Sequence, residues 1–286
     1  MSLLSRIPRR WLVALGAAIG WFLWTLRIRR RVVLSNLALA FPEKAEGERR
    51  AIARATYRHL GETIFEFLRV PDLGKEELDR IFVYEGWENF ERARARGKGI
   101  IAATAHFGNF EVLAAAHTLR GVPISTISRG MRGGTGGDAL WTATRKRSGV
   151  EELVIRRGQT WKAAVAALRS GRVLGYVIDQ SEASRSAIFP TFFGVPCATS
   201  PTPAFLAWRT GAATVFALSV PLPDGRHRVV IEGPLDPPDT GDRERDALAF
   251  MQDLNDRLER FVRAHPERWY WLHRRWKRRG PGAATN

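Results

Sequence analysis

The amino-acid sequence predicts an α/β fold in which helices flank a mixed, mostly parallel sheet. Two observations predict it: short apolar runs bounded by Gly, Pro or Asp, which are typical of buried strands, and helical segments that separate most of these runs. The runs are residues 97–105, 122–128, 172–179, 212–220 and 226–233. The intervening segments of helical composition are residues 109–120, 138–149, 159–170 and 201–210. Strands that alternate with helices favour a sheet covered by helices on its faces.

Two further helical regions flank the predicted sheet. Residues 32–70 are predicted to be helical apart from a turn at Pro42, and residues 243–265 form a long amphipathic helix that stops before Pro266. No internal repeat or low-complexity linker interrupts the chain. We therefore expect two parts, an amino-terminal membrane anchor over residues 1–31 and a single folded domain over residues 32–286.

An uncharged apolar stretch at residues 11–26 defines the predicted anchor helix. Arginines bracket it on both sides: Arg6, Arg9 and Arg10 before, and Arg27, Arg29, Arg30 and Arg31 after. A dense basic cluster behind the apolar core is unlike a secretory signal peptide, so we expect the stretch to be retained. It is shorter than the roughly 20 residues that span about 30 Å of hydrocarbon. A strained span, a shallow interfacial position and a buried core helix therefore all stay open.

The chain carries a strong positive charge. It has 45 Lys and Arg against 29 Asp and Glu, a formal net charge of +16. Such an excess usually faces phosphates, anionic lipid or an acidic protein partner. The hydrophobic fraction of 45% is ordinary for a globular protein, which excludes disordered and collagen-like classes. The single cysteine, Cys197, cannot form an intramolecular disulfide and is expected to pack as a small apolar residue.

The candidate catalytic residues follow the first predicted strand. His106 comes directly after the run at residues 97–105, and Glu111 lies five residues later at the start of a predicted helix. Functional groups collect at the carboxyl ends of strands in open α/β sheets. A carboxylate that orients one ring nitrogen of a histidine allows the other to act as general base. Gly108 is expected to permit a sharp turn, and Asn109 either caps the helix or contacts substrate.

Spacing alone leaves a chance pairing of His and Glu open. A covalent hydrolase finds little support, because the sequence has no serine in a Gly-x-Ser-x-Gly elbow. A nucleic-acid-binding protein is a further alternative, since basic residues interleaved with aromatic ones also serve phosphate contact and base stacking. That alternative explains neither the apolar stretch nor the segment HFGNFE, so no nucleic-acid partner is expected.

Several segments, in order along nearly the whole chain, resemble the bacterial lipid A late acyltransferases, the lauroyl and myristoyl transferases. HFGNFE at residues 106–111 resembles the His-x-x-x-x-Asp/Glu motif of glycerolipid acyltransferases, with Phe110 where this family usually has Trp. The other matching segments are Asn36-Leu37, Phe41-Pro42-Glu43, Asp179-Gln180, Phe192-Phe193-Gly194, Thr199 and residues 269–277. The glycine-rich segment after Arg129 departs from the family, which commonly has an Asn-Pro-containing segment there.

The resemblance implies a glycerolipid acyltransferase-like fold and an O-acyltransferase activity. A fatty acyl group would move from a thioester, on acyl carrier protein or coenzyme A, to a hydroxyl of a membrane lipid. A lipid A precursor is the leading acceptor, and a lysophospholipid or another glycolipid is the alternative. His106 would act as general base while Glu111 orients its ring. No metal or bound cofactor is implied, and the expected location is the cytoplasmic side of the bacterial inner membrane.

Further residues are expected to bind substrate or partners. Arg129 follows a predicted strand and resembles a family arginine near the active site, which also makes it a candidate oxyanion donor beside the backbone N–H groups of residues 107–109. The other substrate-binding candidates are Asn109, Arg145, Arg147, Asp179 and Gln180. The excess of arginine suits an anionic membrane surface and an acidic carrier protein. The aromatic and basic residues near the carboxyl terminus are expected to face lipid.

Overall fold

A computed structural model of the chain describes residues 7–128, 136–155 and 159–280. In these ranges the helices are α1 (Arg9–Thr25), α2 (Arg30–Ala40), α3 (Glu46–Arg69), α4 (Lys75–Ile81), α5 (Trp87–Ala95), α6 (Phe110–Leu119), α7 (Gly136–Arg147), α8 (Thr160–Arg169), α9 (Thr202–Thr210) and α10 (Arg243–Ala264). The strands are β1 (Phe82–Glu85), β2 (Ile100–Thr104), β3 (Ile124–Ser128), β4 (Glu151–Val154), β5 (Val173–Val177), β6 (Thr191–Phe192), β7 (Val195–Pro196), β8 (Ala213–Pro221) and β9 (His227–Leu235).

Seven of these strands form one mixed sheet in the order β1-β9-β8-β2-β5-β3-β4. The strands from β8 to β4 run parallel to one another, β8 pairs antiparallel with β9, and β1 pairs parallel with β9. The predicted α/β fold with a mostly parallel mixed sheet is confirmed. Each of the five predicted strand runs overlaps a strand, and each predicted helical segment between them overlaps a helix.

The core lies on both faces of the sheet because successive strand residues point to opposite sides. In β2, Ile100 packs in the apolar layer beneath α5 and α6, whereas Ile101 packs in the layer beneath α8 and α9. Both side chains are almost completely buried. Cys197 is also fully buried, as expected of a packed small residue.

Helix α1 packs lengthwise against α3. Gly16 and Gly20 of α1 lie against the backbone of Tyr57 and Gly61 of α3, where an added Cβ would collide with the facing carbonyl groups. No described helix is by itself long and apolar enough to cross a membrane, although α1 and α2 meet the length and composition criteria as a pair, with a bend of 92° between them. The division of the chain at residue 31 stays a prediction.

Candidate active site

The chain turns sharply between β2 and α6, where the catalytic candidates lie. Gly108 has a positive φ of 57°, and a Cβ there would collide with the carbonyl oxygen of Ser219 in β8. Only glycine tolerates both conditions without strain. The next residue, Asn109, caps α6, since its side chain accepts a hydrogen bond from the Val112 amide at 3.2 Å. The predicted turn is therefore confirmed, and so is the predicted cap.

His106 is held by a carboxylate from the neighbouring strand. Its Nδ1 lies 2.8 Å from Oδ1 of Asp179, which follows β5, the sheet partner of β2. Oδ2 of Asp179 accepts two more bonds, from the His106 backbone amide at 3.0 Å and from the Trp269 indole at 2.7 Å. The residue that orients the ring is thus Asp179 and not Glu111, which corrects the prediction made from spacing.

Glu111 instead faces α7. Its buried carboxylate accepts a bond from Nε of Arg145 at 3.0 Å, a second bond from the same guanidinium, and one from the Trp141 indole at 3.2 Å. Both carboxylate oxygens of Glu111 are therefore bonded to residues of α7. Glu111 acts on His106 through its charge, while the orienting contact comes from Asp179.

The electrostatic environment strengthens His106 as a base. Burial disfavours the charged imidazolium, but the charge and hydrogen bond of Asp179, with a smaller contribution from Glu111, outweigh it and raise the pKa of His106. Burial also opposes the charged form of Asp179, yet His106 and the Trp269 indole lower the pKa of that carboxyl. The pair therefore stabilises a protonated ring beside an ionised carboxylate.

The second ring nitrogen of His106 is accessible. The side chain is 20% exposed, and the amide nitrogen of Gln180 lies 3.3 Å from Nε2. With Nδ1–H donating to Asp179, Nε2 is left as the acceptor. Gln180 is itself exposed, which places a polar group where a substrate hydroxyl would approach.

Two of the residues expected to bind substrate have their polar atoms occupied within the protein. Asp179 is 3% exposed and both its oxygens accept bonds from the chain. Arg145 uses all three guanidinium nitrogens, toward Glu111 and toward Glu152 at 2.8 Å. These bonds hold neighbouring residues in place, and a contact of either side chain with substrate stays a prediction.

The remaining candidates take different positions. Arg147 pairs with Asp72 at 2.6 Å on the outer side of α7. Asn109 is buried, and its amide nitrogen lies 3.1 Å from Oε2 of Glu66 in α3. Arg129 lies outside the described residues. The roles of Arg147, Asn109 and Arg129 toward substrate stay predictions.

Sequence reasoning missed a buried histidine beneath the turn. Nε2 of His59, in α3, lies 3.1 Å from the Gly108 carbonyl oxygen, and its Nδ1 lies 3.0 Å from the Arg268 guanidinium. Burial and the positive charge of Arg268 lower the pKa of His59 to about 3, so the ring is neutral and donates from Nε2. No local motif marks this residue, which occupies one position in a long amphipathic helix.

Residues 269–277, the carboxy-terminal block, pack inside the protein next to the site. Trp269 and Trp271 are buried, the Tyr270 amide donates to the His106 carbonyl at 2.9 Å, and Arg275 is 1% exposed. The guanidinium of Arg275 donates to three oxygens of neighbouring loops, Gln180 O, Ala198 O and Thr199 Oγ1. The prediction that the aromatic residues of this block face lipid is therefore wrong.

Two of the three expected backbone oxyanion donors are already engaged. The Phe107 amide donates to the Ala105 carbonyl at 2.7 Å, and the Gly108 amide donates to the Arg268 carbonyl at 2.9 Å. Asn109 N–H lies at the amino end of α6, next to the parallel bridge between Gly108 and Ser219, and its role as oxyanion donor stays a prediction. Within the described ranges no three His, Cys, Asp or Glu side chains converge to hold a metal ion. The expectation that catalysis needs no metal or cofactor stays a prediction.

Comparison with known proteins shows the family of the chain. The model of the family described as bacterial lipid A biosynthesis acyltransferase matches residues 1–278. The lipid A biosynthesis lauroyltransferase of Escherichia coli (strain K12) is 27% identical over 97% of this chain and 95% of its own length. The palmitoleoyltransferase of that strain is 26% identical over 97% and 95%, and its myristoyltransferase is 26% identical over 99% and 86%. The chain belongs to the bacterial lipid A biosynthesis acyltransferase family and is an acyltransferase.

Proposed function

We propose that the chain transfers a fatty acyl group from an acyl thioester to a hydroxyl of a lipid A precursor, on the cytoplasmic side of the bacterial inner membrane. The observation that carries this proposal is the His106–Asp179 pair, which fixes Nδ1 as donor and leaves Nε2 accessible at the carboxyl edge of the sheet. The family, and relatives named for lipid A biosynthesis, support the choice of acceptor.

The reaction follows from the pair. Nε2 of His106 takes the proton of the acceptor hydroxyl while its oxygen attacks the thioester carbonyl carbon. The new C–O bond gives a tetrahedral oxyanion, which collapses as the C–S bond breaks, and the imidazolium returns its proton to the departing sulfur. Asp179 stabilises the imidazolium throughout. Gln180, 3.3 Å from Nε2, yields its place to the acceptor hydroxyl.

The oxyanion is stabilised at the amino end of α6. Asn109 N–H lies there, and the partial positive charge of a helix amino terminus favours negative charge nearby. A single oxyanion donor contributes about 2.7–4 kcal/mol where it has been measured in other enzymes. The negative charge of Glu111, in the first turn of α6, weakens this stabilisation of the oxyanion. The positive charge of Arg145, which pairs with Glu111, offsets that loss.

An acyl carrier protein is the proposed donor partner. Lys162 and Arg169 of α8 and Arg209 of α9 surround the exposed ring of Trp161 in a shallow groove. Within the described part of the chain none of these three cations pairs with a carboxylate, which leaves them available to an acidic partner. The groove lies between α8 and α9, whose inner sides pack on the face of the sheet formed by β2 and β5.

Transfer of a radiolabelled acyl group tests the proposal. Membranes containing the wild type, His106→Ala or the control His265→Ala would receive acyl carrier protein or coenzyme A thioesters and a panel of lipids. We expect a tetraacylated lipid A precursor to be acylated by the wild type and the control, and activity to fall by about 10²–10⁴-fold in His106→Ala. A product formed from a lysophospholipid or another glycolipid would show that this lipid, and not the lipid A precursor, is the acceptor. Undiminished activity in His106→Ala would refute the mechanism.

A further inference from the structure

Helix α1 and the residue that follows it expose a continuous apolar stripe. Trp11, Leu15, Ile19, Phe22 and Leu26 recur at spacings of four, four, three and four residues, which places them on one helix face. Each is between 37% and 61% exposed. Contiguous apolar surface of this kind marks a site of contact with a partner or a membrane. We call these five residues the α1 stripe.

The opposite face of α1 is fixed to the protein. Gly16 and Gly20 bring its backbone against α3, and Arg9 forms an ion pair with Glu66 of α3. On the other side of the 92° bend, Val33 and Leu37 of α2 are completely buried in the core. Neither helix is therefore free to reorient without leaving its partner.

The attachment of α1 to α3 decides how α1 can meet a bilayer. Arg54 and Arg58 of α3 are exposed beside α1 and share a recess with Trp21, and Arg58 lies 3.5 Å from Glu62. If α1 crossed the bilayer, these charges would enter the hydrocarbon, where each is costly. If α1 lay along the surface, the α1 stripe would enter the lipid while the same charges stayed outside the hydrocarbon.

Basic residues stand at both ends of the α1 stripe and favour an anionic lipid surface as its occupant. Arg10 precedes the stripe, Arg27, Arg29 and Arg31 follow it, and all four are exposed. Amphipathic helices that lie in the membrane interface combine an apolar face with Lys and Arg on their flanks. Each basic residue near an anionic leaflet adds to the attraction between the protein and the membrane. A second copy of the chain would bring the same positive charge to this surface and is disfavoured.

We propose that α1 lies in the plane of the membrane surface, with the α1 stripe inserted among the acyl chains of an anionic leaflet. This deepens the proposed function and rests on it, because it specifies how the enzyme meets a lipid acceptor. Beneath α1, His59 and Glu66 of α3 contact Gly108 and Asn109 of the catalytic turn. One helix layer, about 10 Å, thus separates the inserted helix from the turn that carries His106.

Spin-label depth measurements test the orientation. Single cysteines would replace Trp11, Ile19 and Leu26 in a Cys197→Ala background, and the full chain would be bound to vesicles of phosphatidylcholine with phosphatidylglycerol. An in-plane helix places all three labels at one shallow depth, within about 5–10 Å of the headgroup boundary. A spanning helix places the label at residue 19 about 12 Å deeper than that at residue 11. Such a gradient, or labels that stay in water, would overturn the proposal.

A flotation assay supplies a second and independent measurement. We expect Leu15→Glu/Ile19→Glu to lower vesicle binding at least tenfold, whereas the control Val83→Glu/Leu248→Glu, at exposed apolar positions away from α1, binds as the wild type does. Acyl transfer to a detergent-dispersed acceptor should survive in the stripe variant. If the wild type also lacks this activity, the proposed function is wrong. If the stripe variant floats with vesicles as the wild type does, only the proposal of an in-plane α1 is wrong.

Discussion

At the residue scale, the properties of His106 depend on a carboxylate that lies 73 positions away in the chain. The spacing of five between His106 and Glu111 suggested a local pair, but the register of two parallel strands decided the partner. β2 and β5 are hydrogen-bonded neighbours, so the residues that follow Thr104 and Val177 meet at one edge of the sheet. Asp179 was visible in the sequence as an acidic residue at the end of a predicted strand. Without the strand order, nothing distinguished its role from substrate binding.

Asp179→Asn tests the pairing through the pH dependence of catalysis. His106 must be neutral to accept a proton, so activity falls as the pH drops through its pKa, which Asp179 raises above the ordinary value of 6.5. Removing the charge lowers that pKa, and we expect the acid limb of kcat/KM to move to lower pH while kcat falls by about 10²–10⁴-fold. The control Asp253→Asn, on the partly exposed side of α10, should leave the limb in place. An unchanged limb in Asp179→Asn would remove Asp179 from the mechanism.

The contact between Glu111 and Arg145 predicts a stability effect at the same scale. Removing one partner of a buried pair costs about 3–5 kcal/mol, and Glu152 as second partner of Arg145 places this case toward the lower end. In urea unfolding in detergent micelles, Glu111→Gln and Arg145→Met should each destabilise the chain. The double variant should cost less than the sum by about 1–3 kcal/mol. Additive losses would show that the two side chains act independently.

An exposed ion pair provides the control for this comparison of single and double variants. Glu46 and Arg50 are four residues apart on α3, and their side chains are 69% and 45% exposed. Exposed helix pairs contribute only about 0.3–0.5 kcal/mol, so Glu46→Gln should hardly change the free energy of unfolding.

At the element scale, most strands of the sheet and the helices around it could be predicted because each has a residue pattern typical of one kind of secondary structure. β2 and β8 are buried on both faces and consist almost wholly of apolar residues, and α10 alternates apolar and charged positions at helical spacing. β1 and β4 were missed. Both are four-residue strands at the edges of the sheet. β4 begins with two glutamates and presents no apolar run, whereas the apolar run at residues 81–84 that holds β1 is too short to distinguish a strand from the end of a helix.

The groove between α8 and α9 gives an element-scale prediction about the acyl donor. Lys162→Glu/Arg169→Glu should raise KM for an acyl carrier protein thioester about tenfold, equivalent to about 1.4 kcal/mol, with little change in kcat. The same variant should use an acyl-coenzyme A thioester as the wild type does. Lys75→Glu/Arg80→Glu on α4 changes the net charge equally and should affect neither donor. Equal losses with both donors would remove the groove as a docking surface.

At the scale of the whole molecule, sequence segments that are far apart form one buried cluster behind the active site. Asn36 donates to the carbonyl groups of Trp271 and His273 at 2.8 and 2.7 Å, and Phe41 packs on Phe193. The basic and aromatic composition near the carboxyl terminus indicated a lipid interface, yet tertiary contacts bury it. Arg275 is tolerated inside because loop oxygens accept hydrogen bonds from both of its terminal guanidinium nitrogens, a condition that single-sequence patterns do not reveal.

The balance between net charge and the α1 stripe predicts how the whole enzyme binds membranes as salt is raised. The charge of +16 attracts the chain to anionic vesicles, and this attraction is screened over about 10 Å at 0.1 M salt and about 3 Å at 1 M. Burial of apolar side chains is not screened. We therefore expect flotation with anionic vesicles to weaken at 1 M NaCl but to persist. In Leu15→Glu/Ile19→Glu it should disappear at high salt, because only the electrostatic part is left. Complete release of the wild type at 1 M NaCl would show that charge alone holds the enzyme at the surface.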